Sequence, residues 1–431
     1  MATIPQIGVD SENVPRPRSR TMSVALTLLV VSVFINYIDR GNLSIAAPLL
    51  KNELGISASQ LGILLSSFFW TYTACLFFCG WFVDHLDVSR VLGIGFLIWS
   101  LATAATGLVH GFVLLLLMRL ILGMGESVAF PSYCKILARH LPEHYRGFAN
   151  GAIIGGMKLG PAAGTLGAGM LMTNYGWRPV FIGIGLISLL WLPAWMKWWP
   201  RCELDVSEAV CHPSVSDILQ QRAFWADTSA SFCCVYPLYF ILTWLPFYLV
   251  HEQHLLLSEM VKITALYYAV DGGISLATGW LADFCIGKGA TVGRVRKSAM
   301  ALGWTTAAIG FSGCAWAGAH SYVAWLLVTA VGVGIGGSGV WAFTQTLAGP
   351  QAVGRWAGLK NGFDNLAGVI CPALTGFTVD WTGHFHVAIG ITAGICLAGA
   401  MAWVFLLGEL REVNWQQTVP EKNSATAAEG F

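Results

Sequence analysis

The sequence predicts an all-α integral membrane protein, with twelve transmembrane helices in two related six-helix bundles. Three observations carry that prediction. Of 431 residues, 55% are hydrophobic and only 11% charged, where soluble domains carry about 25% charge. Apolar runs of about 20 residues, enough to cross a bilayer, recur along the whole chain. The element Gly80-Trp81-Phe82-Val83-Asp84 returns as Gly279-Trp280-Leu281-Ala282-Asp283, at the corresponding place in the second half. The net charge of +1 gives no footprint for nucleic acid. The eleven cysteines lie mostly in apolar runs and form no CxxC pair, so they read as small packing residues. No cofactor and no metal are expected, and the chain reads as a monomer in the lipid bilayer.

Residues 1–21 form a polar N-terminal tail with Arg16, Arg18 and Arg20. The next run is too long and too charged for a cleaved signal, so it reads as a retained first span. The first bundle, within 22–200, has spans near 22–50, 58–82, 90–109, 112–137, 148–172 and 177–199. The second, within 223–408, has spans near 224–250, 260–284, 297–318, 322–347, 354–380 and 385–408. Between them, 201–222 carries Glu203, Asp205, Glu208 and Asp217 and reads as a linker. Residues 409–431 form a polar C-terminal tail.

Lysine and arginine set the expected orientation. Arg90, Lys135, Arg139, Arg146, Lys197, Arg201, Arg222, Lys288, Arg294, Arg296 and Lys297 fall on the side of the N-terminal arginines, against Lys51, Arg178 and Lys262 opposite. Both termini and the linker are therefore expected in the cytoplasm of a cell with an inner membrane. The repeated G-W-x-x-D element ends spans two and eight, and basic residues follow it each time (Arg90; Lys288 and Arg294). A shared element at a shared position points to two copies of one six-helix unit.

The chemistry concentrates in Asn36-Tyr37-Ile38-Asp39-Arg40-Gly41-Asn42, inside the first apolar run. A charge at mid-bilayer costs roughly 3 kcal/mol on insertion scales, so ionisable residues there mark function by default. Neighbours on a helix point about 100° apart, so Asp39 and Arg40 do not simply neutralise each other. The stretch reads as a substrate or proton site, or as a charge pair that locks helix packing. Span four carries Arg119 and Glu126, seven apart and on one face. Either Arg119 tunes Glu126 as a proton carrier, or Arg119 forms a structural bridge to Glu126 or Asp39.

These motifs carry a resemblance. The doubled G-x-x-x-D loop on a six-plus-six plan resembles the major facilitator superfamily. Asn36 to Ser44, and Gly123-Met124-Gly125-Glu126-Ser127-Val128-Ala129-Phe130-Pro131, resemble its anion:cation symporter family. That family includes bacterial hexuronate, aldonate and aldarate carriers and animal sialic acid and vesicular glutamate transporters. The resemblance runs from about 22 to 408 and implies the major facilitator fold. It implies proton-coupled uptake of a small organic anion, with Asp39 and Glu126 as protonation sites. It also implies that Tyr37, Arg40 and Tyr72 line the pocket and that Asn365 contacts substrate hydroxyls. Gly80, Asp84 and Arg90, with Gly279 and Asp283, would form its conformational loops. The family usually has glycine where this chain has Asp87, which bears on the turn of the first loop.

Other polar residues widen the candidate site. Lys158, among the glycines of span five, is either a second cation for an anionic substrate or the partner of a buried acid. Tyr236 and Tyr239, three apart in span seven, either donate hydroxyls to substrate or pack. Trp341 and Gln345 in span ten and Asn361 in span eleven complete the set. Asp271 and Asp364 have no assigned role. The glycine run 332–337 suits close helix packing better than phosphate, since no lysine follows it. Arg40, Arg119 and Lys158 against Asp39 and Glu126 leave the first half with one excess positive charge, which favours an anion. Proton uptake would then raise anion affinity, and the anion would favour proton uptake. Exchange or sodium coupling would use the same residues. His140-Leu141-Pro142-Glu143-His144 fits a zinc-hydrolase pattern, but Pro142 breaks the helix that such chemistry needs.

Overall fold

A computed structural model describes residues 19–140, 143–198, 213–316, 321–337, 339–408 and 410–415. The first tail as far as residue 18, linker residues 201–212 and the tail from 416 lie outside these residues, as do Leu141 and Pro142 of the 140–144 motif. Gly80 and Asp84 belong to a described helix, but their side-chain surroundings lie outside the description.

The chain folds as a succession of helices. In the first half these are α1 (Ser19–Leu54), α2 (Ala58–His85), α3 (Val88–Thr106), α4 (Phe112–Ser127), α5 (Ala129–His140), α6 (Glu143–Tyr175), α7 (Trp177–Ser188) and α8 (Trp191–Trp198). A short helix, α9 (Val215–Leu219), precedes the second half. There follow α10 (Arg222–His251), α11 (Leu257–Gly287), α12 (Val292–Trp316), α13 (Tyr322–Gly337), α14 (Val340–Thr382) and α15 (His386–Met401). A π-helical turn, Ala402–Leu406, extends α15.

Twelve spans emerge because several are broken. Span four is α4 plus α5, interrupted at Val128, because Pro131 cannot donate the next helical hydrogen bond. The break falls two residues after Glu126. Span six is α7 plus α8, and span ten is α13 plus the start of α14. A straight 43-residue helix like α14 would be about 65 Å long, twice the roughly 30 Å hydrocarbon core. Gly349 resolves the conflict. Its φ of 65° and ψ of 173° reverse the chain, a conformation open to glycine. Residues before it finish span ten and residues after it form span eleven. Among the described residues, seven segments are apolar enough to cross a membrane by length and composition alone. The less apolar spans turn glycine, Lys158, Asp271 or Lys360 towards other helices.

The two bundles meet in a symmetric pattern. Between them α2 packs on α14, α6 on α11 and α1 on α10. In span numbers these are two with eleven, five with eight and one with seven. Exchanging the halves turns the first pairing into the second and leaves the third unchanged, as two related units require. Asp87, the departure in the first loop, caps α3. Its carboxylate accepts from the Ser89 N–H at 2.9 Å, and its φ of −62° needs no glycine. Arg90 lies 3.5 Å from Asp87, with both side chains largely exposed. Gly279 and Asp283 lie on α11, with Asp283 exposed.

The bundles approach most closely at the end away from the termini. A Cβ on Gly62 would lie 2.5 Å from the Pro372 carbonyl, and one on Gly376 would lie 2.4 Å from the Ala58 carbonyl. There Asp380 of α14 caps α2 of the other bundle, accepting from the Ala58 N–H at 2.9 Å and the Ser59 N–H at 2.7 Å. The Ser59 hydroxyl donates to the same carboxylate. A helix N-terminus offers unpaired N–H groups and positive potential, so a carboxylate from the opposite bundle is a fitting latch. A cap of this kind is worth about 1 kcal/mol. Asp380→Ala is therefore expected to loosen this end, shifting the closed population by about fivefold. Spin-label distances between the outer ends of α4 and α13 measure this. An unchanged distance distribution would remove the latch role.

Candidate functional site

Glycine seats the 36–42 stretch. Gly156, Gly160 and Gly164 recur every four residues on α6. A Cβ on Gly160 would lie 2.7 Å from the Tyr37 Cβ and 2.9 Å from the Phe34 carbonyl, and one on Gly164 would lie 3.3 Å from the Ile38 Cα. The α1 backbone thus rests directly on α6, and the other face of α1 turns towards α2 and α4. The glycine-rich part of α13 packs in the same way, with Gly332 and Gly336 against Gly303, Trp304 and Ala307 of α12.

Arg40 is the centre of this arrangement and is 5% exposed. Its Nε donates to Glu126 Oε2 at 2.9 Å, and Glu126 is fully buried. Aromatic rings cover the guanidinium, with Tyr72 at 4.5 Å, Tyr37 at 4.9 Å and Phe68 at 5.2 Å from its Cζ. A planar, weakly hydrated cation tolerates such faces better than an ammonium does. Phe68 and Tyr72 stack on each other from positions four apart on α2. The Arg40 Nη2 and Glu126 Oε1 have no hydrogen-bond partner among the described residues. Donor and acceptor capacity is therefore held at the centre of the molecule.

Asp39 points elsewhere, as the helical angle predicts. It is 1% exposed, faces Glu126, Arg119 and Thr103, and neither oxygen has a hydrogen-bond partner among the described residues. Arg119 is buried, with its guanidinium 5.0 Å from the Phe68 ring. Asp39, Glu126 and Arg40 are its charged neighbours. The carboxylate of Glu126 is held by Arg40 rather than by Arg119, its neighbour two turns along the same helix.

The second bundle brings Tyr239 to this centre. Its ring lies 4.4 Å from that of Phe69, its phenol faces Arg40, and its hydroxyl donates to Asn365 Oδ1 at 2.5 Å. The Asn365 amide donates to the Asn361 carbonyl at 2.7 Å and to the Asn361 side chain at 3.2 Å. Tyr37, Arg40, Tyr72, Tyr239, Asn361 and Asn365 therefore converge. Tyr236 does not join them, being buried beside Phe232 and Cys371 within the second bundle. Trp341 is 41% exposed and lies 5.0 Å above the Lys360 ammonium, and Gln345 is exposed one turn further on.

Lys158 meets a partner from the other bundle. Its Nζ lies 2.8 Å from Asp271 Oδ2, with the lysine side chain 32% and the aspartate 5% exposed. Adding Asp271 to the central charges leaves three cations against three acids, so the excess positive charge expected from the first half alone is absent. Sequence reasoning also passed over Phe68, Phe69, Asp227 and Lys360, and named Asp364 without a role; the structure buries Asp227, Lys360 and Asp364 as a second group. Lys360 and Asp364 stand four apart in an apolar span, a spacing that signals a pair.

Two bundles related by a repeat, closed on each other around buried charges, have the architecture of a secondary transporter. The chain belongs to the Major Facilitator Superfamily, whose family model matches residues 29–292 and 285–429. It is 32% identical to a hexuronate transporter of Bacillus subtilis over 88% of this chain and 93% of that one. It is 27% identical to a D-galactonate transporter of Escherichia coli O6:H1 over 93% and 99% of the two chains. Its fold matches a bacterial homologue of the human lysosomal transporter Spinster, solved in an inward-facing and occupied conformation. That match has a TM-score of 0.74 at 16% identity and covers 90% of this chain and 97% of the other. These relatives are transporters and not enzymes.

Arg40 combines a fork of donors with three ring contacts, which lysine cannot reproduce. Arg40→Lys is expected to lose at least tenfold in anion affinity although the charge stays. Calorimetric titration of the purified variant measures it. Affinity within a few-fold of the parent would place the anchor elsewhere.

Proposed function

We propose that this chain takes up a small organic anion together with protons by alternating access, with a sugar acid as the leading class of cargo. The observation that carries the reading is the Arg40–Glu126 pair at the meeting point of the bundles. A cargo carboxylate and the Glu126 carboxylate compete for the same guanidinium. Protonating Glu126 removes its claim, and Arg40 becomes free to hold the cargo. Proton binding thus strengthens cargo binding, and the cargo favours protonation by the same factor. Asp39 is the second acid of this unit. If both take up protons, the central charges go from balanced to an excess of two positive charges.

The relatives support a sugar acid by what their names say they carry. Such a molecule offers a carboxylate for Arg40 and hydroxyls for Tyr239, Asn361 and Asn365. Tyr37 and Tyr72 shape the pocket around Arg40. Trp341 and Gln345 contribute from span ten, and Tyr236 packs in the core of the second bundle. In this reading the chain is a monomer in the inner membrane of a bacterial cell, with both termini and the linker in the cytoplasm. The two bundles rock around the central residues, with Gly80 and Asp84 at the end of α2, Gly279 and Asp283 near the end of α11, and Arg90 steadying the cytoplasmic ends.

Two predictions test the reading. Glu126→Gln mimics the protonated acid and leaves Arg40 free. The variant is expected to keep counterflow of glucuronate in proteoliposomes while losing accumulation driven by a pH gradient. Asp39→Asn is expected to lose accumulation as well. Accumulation by Glu126→Gln under a pH gradient alone would sink the coupling assignment. Uptake that follows sodium instead would replace protons as the driving ion.

Lys158 is the proposed contact for a second negative charge, which must displace Asp271. Asp271→Asn is expected to improve binding of glucarate, a dianion, by several-fold relative to glucuronate. Lys158→Gln is expected to reverse that order. Equal changes for both anions would leave the pair as a tie between bundles only.

A further inference from the structure

We propose that Asp227, Lys360 and Asp364 form a second proton-binding centre, inside the C-terminal bundle, in which two carboxylates share one proton. The inference stands on charge balance and geometry, separately from the roles proposed for Asp39 and Glu126. All three residues are buried, with Asp227 and Lys360 at 0% and Asp364 at 4% exposure. Lys360 Nζ lies 3.4 Å from Asp364 Oδ2 and is the charged neighbour of Asp227. One ammonium faces two carboxylates, and both cannot be ionised without an uncompensated charge in a low-dielectric interior. Asp227 is also a charged neighbour of Asp364, so a single proton held by either acid balances the group.

The hydrogen bonds leave room for that proton. Asp227 Oδ2 accepts from the Thr344 hydroxyl at 2.9 Å and the Trp356 Nε1–H at 3.0 Å. Asp364 Oδ2 accepts from the Ser231 hydroxyl at 2.7 Å. The Oδ1 atoms of both aspartates are buried and have no partner among the described residues. The Lys360 ammonium likewise makes no hydrogen bond there. Around the group, α10 contributes Asp227, Ser231, Cys234 and Tyr239, and α14 contributes Thr344, Trp356, Lys360 and Asp364. No second cation stands among these neighbours.

The centre adjoins the cargo site. Lys360 and Asp364 immediately precede Asn361 and Asn365, and Tyr239, bonded to Asn365, faces both Asp364 and Arg40. Trp341, 41% exposed, covers the Lys360 ammonium. A charge change in the centre therefore acts on residues that line the site.

Infrared absorption of the purified full-length chain at pH 7 tests this, read at the carbonyl stretch of protonated carboxyl groups in heavy water. Asp227→Asn and Asp364→Asn are each expected to lose the intensity of one such group, because the remaining aspartate then pairs with Lys360 as a carboxylate. Lys360→Met is expected to gain one, since neither acid then has a cation. The gain keeps the test informative if an asparagine variant folds poorly. Unchanged intensity in all three variants would overturn the proposal. So would a parent protein that lacks the band and is stabilised by sodium chloride but not by potassium chloride, since sodium would then be the missing cation. Neither readout depends on cargo transport, so failure of the transport reading would be visible separately.

Discussion

An ionised group in a membrane interior cannot be left alone, and the centre of this molecule is organised by that constraint. Removing one partner of a buried pair costs on the order of 3–5 kcal/mol, because the other is left uncompensated. The chain meets the constraint three times. Arg40 and Glu126 pair within the first bundle, Lys158 and Asp271 pair across the interface, and Lys360 lies among Asp227 and Asp364 in the second bundle. Each pairing ties helices distant in sequence, so each doubles as a fold determinant. Such pairs suit a transporter because their partners can be exchanged. Cargo or a proton can substitute for a side chain without leaving a bare charge.

The glycine ridge of α6 makes the first pairing possible. Gly156, Gly160 and Gly164 bring α6 onto the α1 backbone, and α1 then presents Tyr37 and Arg40 to α2 and α4. The ring contacts from Tyr72 and Phe68 follow from that placement. The break in span four falls beside Glu126, where Pro131 ends the regular helix. Discontinuous helices near a central site leave backbone groups available to it.

Much of this was legible in the sequence, and the limits have physical causes. Charges in apolar runs stand out, so Asp39, Arg40, Arg119, Glu126 and Lys158 were visible as candidates. Their partners were not. Periodicity relates Arg119 to Glu126 along one helix, but the Arg40–Glu126 bond joins two helices whose approach depends on glycines elsewhere. Lys158 and Asp271 are separated by 113 positions, and nothing local links them. Tyr236 and Tyr239 share a face only loosely. Three residues leave about 60° between side chains, enough in a bundle to put one in the core and the other at the centre. Hydropathy found the spans, and the turn at Gly349 falls in the gap it leaves between 347 and 354, but it missed the interruption of span four, since an apolar run reads alike whether or not Val128 breaks it.

The reversal at Gly349 has a mechanical meaning. With a single residue at the bend, spans ten and eleven behave as the two arms of tweezers, and a small change of angle at the tip becomes a large displacement along the arms. Asp227 grips both arms with one oxygen, holding Thr344 on the first and Trp356 on the second. The backbone of Val413 and the indole of Trp415 fasten the tip itself, at the Leu347 and Ala348 carbonyls. A rod pinned at its tip and clasped partway along has its opening set by the clasp. The spacing of the two arms, and with it the placing of Trp341 and Asn361, is therefore tied to one buried carboxylate.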